Sequence, residues 1–367
     1  MKVTGLSWTA FRLPLRTPFR TSAGEITCRE GLLLRLTTGA DVVGLGEASP
    51  HPALGIQGVH EAEGALSRLA PGLLGADVER LTVGLPDAVP AALACALDTA
   101  ALDALARARG VPLARLLNNR ASGSVPVNAV IAADSDAEAV SQATTARAAG
   151  FRCVKLKVGM APNPEGERQR TAAVRAALGP DVTLRLDANG AWTVEQAIRT
   201  IRCLEEFGLE YVEQPVAPGD LEGMARVRRD TGVPIAADED VASVAAARRV
   251  LETGAAGILV IKPMVVGGLR PAMEIAAMAG RAGASVVVTT TIDAGIGVAD
   301  DLHLAAALPG RIPACGLATG SLLTADIIAR PLEAREGRMA LPGGPGLGVE
   351  LDERALARYA IAQEVQK

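Results

Sequence analysis

A chain of 367 residues is longer than one hydrophobic core usually serves, which predicts one large domain with a smaller one beside it. Apolar residues make up 49% of it and charged residues 21%, enough to build a core and to exclude a disordered chain. The formal net charge is only -4 and no basic run is interleaved with aromatics, which argues against nucleic-acid and membrane-surface partners and leaves a small molecule as the expected one.

The first residues, MKVTGLSWTAFRLPLRTPFR, are broken by polar residues and prolines, so no signal peptide is expected. Strand-like LSWTAFRLPL, GLLLRLTT and VVGLGEA, then helical stretches near 59–70 and 88–109, predict an α+β module over residues 1–122. From about Val125 short apolar runs alternate with alanine- and arginine-rich stretches of helical period. The strands read from this pattern are VPVNAVI at 125, CVKLKV at 153, TLRLDAN at 183, YVEQPV at 211, PIAADED at 234, GILVIKP at 257, SVVVTTTID at 285 and ACGLAT at 314. Near-even βα repeats favour a closed α/β barrel of TIM type, modified to seven or eight units, over an open sheet, and place it at 123–326. Helix candidates such as DAEAVSQATTARAAG and SVAAARRVLETG each end at a glycine suited to the left-handed capping conformation. After Asp326 a tail rich in glycine and proline, 327–367, is expected to run back over the first module and complete it.

The most apolar window, Gly254 to Leu269, carries Lys262 and Pro263, which predicts no membrane span. Five scattered cysteines, Cys28, Cys95, Cys153, Cys203 and Cys315, form no C-x-x-C pair and suit a reducing, cytoplasmic setting. The oligomeric state stays open, a homo-oligomer included.

Of 37 basic side chains only five are lysines: Lys2, Lys155, Lys157, Lys262 and Lys367. Lys155, Lys157 and Lys262 lie inside strand-like segments, where a surface charge is not expected. Arginine stays protonated in proteins, whereas a partly buried lysine can lose its proton and act as a base. Three acids, Asp187, Glu213 and Asp238, end successive strands at nearly equal steps, and Lys262 follows after one more such step. Because each step spans one βα unit, all four should stand at one level, the C-terminal face where such barrels build active sites. Separate helix caps would need no common level. Three converging carboxylates need a cation, and hard oxygen ligands select magnesium, or manganese, over zinc. An amine beside that ion is a candidate general base, and the ion would stabilise charge building on a substrate carboxylate as its α-proton leaves.

His51, His60 and His303 match no predicted strand end, which argues against a zinc hydrolase or a histidine triad. Gly267-Gly268 and GLATG at 316–320 suit turns, with phosphate binding as the rival reading.

A K-x-K pair on one strand, D-A-N, V-E-Q-P and A-D-E at the next three strand ends, then I-K-P, resembles the enolase superfamily, which uses a lysine or histidine base with magnesium. GLGEASP near 44–50 and CALDTAALDALARARGVPLARLL look like that family's capping domain and the helix leading into its barrel. The paired lysines resemble the muconate-lactonizing-enzyme group, and TTTID at 289–293 offers no late histidine base. The resemblance implies a small carboxylate substrate, Asp187, Glu213 and Asp238 as magnesium ligands, Lys157 as acid/base, and Lys262 as second base or charge stabiliser. Lys155, Asn189, Arg185 and Asp293 would support them. GEASPHP and TTTIDAGIG…ACGLATG look most like the o-succinylbenzoate synthases, which implies a dehydratase of menaquinone biosynthesis. N-succinylamino acid racemase or dipeptide epimerase is the alternative, though CGLAT lacks the acid that dipeptide epimerases carry there. Selectivity is expected from the loops near 16–25 and 48–58, where His51 departs from the expected leucine.

Overall fold

A computed structural model of the chain describes residues 1–21, 24–51, 58–81, 85, 89–161 and 163–361. Parts of both expected selectivity loops (22–23 and 52–57) and Lys367 lie outside the described residues. Three antiparallel strands come first: β1 (Val3–Thr21), β2 (Gly24–Thr38) and β3 (Val43–Ala48). Helices α1 (Val59–Leu73) and α2 (Ala91–Ala108) pack on this sheet. The alternation of β2 turns Leu32, Leu34 and Leu36 into one buried cluster with Leu93 and Leu97 of α2. Gly44 and Gly46 let β3 lie directly on α2, since a Cβ at either would collide with the carbonyl oxygens of Ala100 and Ala96.

After α3 (Leu113–Leu117) and β4 (Ser124–Pro126), a parallel sheet runs in sequence order. Its strands are β5 (Ala129–Ile131), β6 (Cys153–Lys157), β7 (Thr183–Asp187), β8 (Leu209–Glu213), β9 (Ile235–Ala237), β10 (Ile258–Ile261) and β11 (Ser285–Val288). The helices between and after them are α4 (Asp136–Ala148), α5 (Pro164–Leu178), α6 (Val194–Leu204), α7 (Leu221–Asp230), α8 (Val244–Glu252), α9 (Pro263–Val266), α10 (Leu269–Arg281) and α11 (Gly295–Ala307). Their starts follow capping chemistry: the side chains of Ser135, Asn163, Thr193, Asp220 and Ser243 each accept a first-turn backbone N–H. Gly150 and Gly254, beyond the ends of α4 and α8, have φ of 83° and 67°, as their sequences predicted.

Two strand expectations are corrected. The run at 125 divides: β4 pairs antiparallel with β12 (Arg338–Ala340), and only β5 joins the parallel sheet, because Val127 and Asn128 bond to Gly337 and Cys315 instead. The run at 314 makes no ladder, only single parallel bridges from Cys315 to Val127 and from Gly316 to Thr289. Those bridges link the two ends of the seven-stranded sheet and curl it into a TIM-like barrel. A small buried cluster, Tyr211, Ala236, Val260 and Val287, comes from four successive strands and fills the barrel interior. The last helix, α12 (Glu353–Tyr359), returns to β1: Ala360 bridges Phe11, and Glu353 pairs with Arg35 of β2. Among the described residues no helix is long and apolar enough to cross a membrane.

Candidate active site

Parallel register puts Lys157 opposite Asp187 and Asp187 opposite Glu213 at the ends of β6, β7 and β8. Asp238 and Lys262 stand one residue beyond β9 and β10, so the spacing of the acids does translate into a common level. Asp187, Glu213 and Asp238 are all buried.

Each acid meets an ammonium. Lys155 Nζ lies 2.9 Å from Asp187 Oδ2 and 2.7 Å from Glu213 Oε1, bridging the pair. Lys157 Nζ lies 2.6 Å from Asp187 Oδ2 and 2.6 Å from Asn189 Oδ1, and Lys262 Nζ lies 2.6 Å from Asp238 Oδ1. Burial favours the neutral carboxyl at Asp187, but Lys155 and Lys157 overcome it and hold the group well below the usual carboxylate range. Burial, with the like charge of Asp187, pushes Glu213 up to about 8. Burial alone would lower Lys155 and Lys262, yet the facing carboxylates raise both, Lys155 strongly. As the side chains stand, neither of these two amines has the lowered pKa that the general-base reading anticipates.

Two residues inside the motifs that the strand-end spacing did not single out complete the site. Gln214 accepts the backbone N–H of Asp238 at 3.0 Å and donates to Asp240 Oδ2 at 2.7 Å, tying the end of β8 to that of β9. Glu239 accepts from Asn189 Nδ2 at 3.0 Å, while its Oε2 is buried without a partner among the described residues. Asn189 and Gln214 both hold positive φ, 43° and 37°, a strain that recurs at functional sites. The places of Gln214 and Glu239 in V-E-Q-P and A-D-E, directly behind Glu213 and Asp238, were the available signal.

Two supporting residues are corrected. Arg185 shares the inward face of β7, but its guanidinium bonds Glu210 and Ala314 O and stacks 4.8 Å above Tyr211. It also lines a cavity of about 540 Å³ at the opposite end of the strands, beside Arg152, Cys153 and Ser285. That cavity holds none of the lysines or the three acids. Asp293 is buried elsewhere, accepting from Thr291 close to Glu47 and Arg29. A smaller cavity of about 50 Å³ opens at the acid end, lined by Asp238, Glu239 and Lys262. Gly267 and Gly268 form the turn after α9, and Asp98, packed on Gly268, accepts the Arg270 backbone N–H at 3.0 Å and pairs with the Arg270 guanidinium, so a carboxylate already takes the helix start that a phosphate would need.

Among the described residues no three acidic, histidine or cysteine side chains close around one point, and each of the three acids is instead engaged by a lysine ammonium. The donor chemistry still fits a hard divalent cation. Asp187 and Glu213 already present neighbouring oxygens to one positive charge, the ammonium of Lys155, with the buried Asp238 and the half-buried Glu239 beside them.

Comparison with known proteins agrees over nearly the whole chain. A family model described as enolase C-terminal domain-like matches residues 138–355, and one for the mandelate racemase / muconate lactonizing enzyme N-terminal domain matches residues 4–118. The chain is 36% identical to o-succinylbenzoate synthase of Thermobifida fusca over 96% of this chain and 91% of that protein. It is 31% identical to muconate cycloisomerase 1 of Rhodococcus opacus, over 98% of each. A substrate-liganded structure of the L-Ala-D/L-Glu epimerase from Bacillus subtilis superposes with a TM-score of 0.89 at 29% identity, covering 95% of this chain and 99% of that one. With strand ends, lysines and both domain models in agreement, the chain belongs to the enolase superfamily, in its muconate-lactonizing-enzyme group.

Proposed function

We propose that this enzyme is a magnesium-dependent o-succinylbenzoate synthase, which removes water from 2-succinyl-6-hydroxy-2,4-cyclohexadiene-1-carboxylate through an enediolate, in menaquinone biosynthesis. The observation that carries the reading is the pair Lys157 and Lys262, held at one rim on strands four apart by Asp187 and Asp238. Identity to the synthase, at 36%, exceeds that to the cycloisomerase, at 31%, which favours this member of the group.

Asp187, Glu213 and Asp238 would hold the magnesium, which supplies positive charge against the charge developing on the substrate carboxylate. Lys157 takes the α-proton and returns it to the departing hydroxyl on the same face, so one base serves both steps and the elimination is syn. Asn189 orients that amine through its Oδ1. Lys262 faces the enediolate as a fixed positive charge. Lys155 keeps Asp187 and Glu213 together.

The second reading is a two-base racemase of N-succinylamino acids or a dipeptide epimerase, favoured by amines on well-separated strands and by the likeness to the Bacillus subtilis epimerase. One assay separates them. Purified protein with magnesium is given the cyclohexadiene carboxylate and, separately in deuterated water, each enantiomer of an N-succinylamino acid and of L-Ala-Glu. Dehydration faster than any α-hydrogen exchange supports the synthase, exchange of both enantiomers without dehydration transfers the assignment to the racemase, and neither activity removes both.

A further inference from the structure

The barrel end opposite the acids holds a second concave site, and the missing eighth ladder makes room for it. From Leu308 to Ala314, between α11 and the bridge at Cys315, the chain is irregular and forms a seam instead of a strand. The first residues of β11, Ser285 and Val286, line one cavity with that seam, about 540 Å³ in volume. Small-molecule sites typically occupy about 300–1,000 Å³.

Charge in this cavity is one-sided. Arg152, just before β6, Arg185 on β7 and Arg311 in the seam line it, against one acid, Glu210 of β8. Glu210 is already engaged by Arg185 Nε. Cys153 lines it too, but burial pushes that thiol up to about 12, so it adds no negative charge at neutral pH.

Arg185 is fixed in place. It is only 1% exposed, its Nη1 donates to Ala314 O at 2.6 Å, and its guanidinium stacks 4.8 Å from the Tyr211 ring. Its Nη2 makes no hydrogen bond among the described residues. Arg152 and Arg311 are exposed, and among the described residues their side chains have no hydrogen bond or ion pair. Three guanidiniums sharing one cavity repel one another, and an oxyanion relieves that repulsion while accepting their forked N–H donors. The seam side of the wall, with Leu308, Pro309, Ile312 and Pro313, is apolar and suits the body of an organic ligand.

We infer that this cavity is a second ligand site, separate from the proposed active centre, for a small acid with a carboxylate or phosphate head and an apolar body. Bound there, the head joins Arg152 beside β6 to Arg311 in the seam and braces the barrel where the chain itself makes only single bridges. The inference does not depend on which reaction the acids and lysines at the other rim perform.

Calorimetry on chelated, magnesium-free protein measures phenyl phosphate, benzoate and inorganic phosphate on the wild type, Arg152→Gln, Arg311→Gln, Lys262→Gln and Arg229→Gln. Each cavity variant should weaken the organic probe roughly 10- to 100-fold, the loss of a hydrogen bond to a charged group. Arg229→Gln, which removes an exposed charge on α7, and Lys262→Gln, at the other rim, should bind as the wild type does. The tighter of phenyl phosphate and benzoate names the head group, and inorganic phosphate should bind more weakly than phenyl phosphate because it covers no apolar wall. The organic probe should also raise the melting temperature of the wild type, and not that of the double variant Arg152→Gln/Arg311→Gln. Both arginines are exposed, so unliganded melting of these variants should match the wild type. No binding of either organic probe, equal affinity in the cavity variants and the wild type, a loss confined to Lys262→Gln, or inorganic phosphate binding as tightly as phenyl phosphate overturns the inference.

Discussion

Lys157 and Asp187 stand directly opposite in the parallel register of β6 and β7, and Lys157 Nζ lies 2.6 Å from Asp187 Oδ2. The proposed base is thus held by a proposed metal ligand. In the dehydratase only Lys157 must exchange protons, whereas Lys262 must only be positive. Lys262→Arg should then retain more activity than Lys157→Arg, which should lose about 100- to 10,000-fold in kcat, the usual worth of a general base. Steady-state kinetics decide it, and equal loss in the two variants would favour the two-base racemase.

Magnesium should stabilise the fold, since buried carboxylates gain a counter-charge that the unfolded chain cannot assemble. At a hundred times its dissociation constant, an ion bound only by the native state adds about 2.7 kcal/mol. Thermal unfolding after chelation should therefore rise by a few degrees when magnesium is restored. Asp187→Asn should abolish that rise; an unchanged response would place the ion elsewhere.

The junction between the two domains should weaken as the solution becomes alkaline. Burial, and next the like charge of Asp293, push the Glu47 carboxyl up to about 7. The folded state then keeps a proton that the unfolded state has already released, so stability is fullest below the ordinary carboxylate pKa and declines as pH rises through about 7. The contribution is on the order of 2–3 kcal/mol between pH 5 and 8. Urea midpoints should fall more over that range for the wild type than for Glu47→Gln, and parallel curves would contradict the shift.

Backbone contact between β3 and α2 leaves no room for a side chain at Gly46. Gly46→Ala should destabilise by about 1–3 kcal/mol through forced separation of strand and helix. Gly280, in α10, has nothing within 4 Å of a built Cβ and supplies the control. Gly280→Ala should be neutral or stabilising by up to about 1 kcal/mol, as in any exposed helix interior. Equal effects in urea denaturation would argue against the close approach.

Much of the site was readable before any fold was known, because it follows from short-range geometry. One βα unit returns the chain to the same rim, so acids spaced by nearly equal βα steps must end neighbouring strands together, and Lys155 and Lys157, two apart, must share a face. The same local rules announced the glycines after α4 and α8. Side-chain direction across the barrel obeys no such period. Arg185 stands on the right strand face, yet finds Glu210 and Ala314 at the other end; Asp293 is drawn into the acids around Glu47. The division of the run at 125 depends on β12, and the bridge that closes the barrel joins Cys315 to Val127, partners that lie more than half the chain apart. The chain after β3 is tied to the barrel by Arg29, which joins Ser49 and Pro50 to Ile292. Spacing along one chain sets which residues share a level, but charge pairing and hydrogen bonding between distant segments set where each side chain points, and only the folded chain brings those segments together.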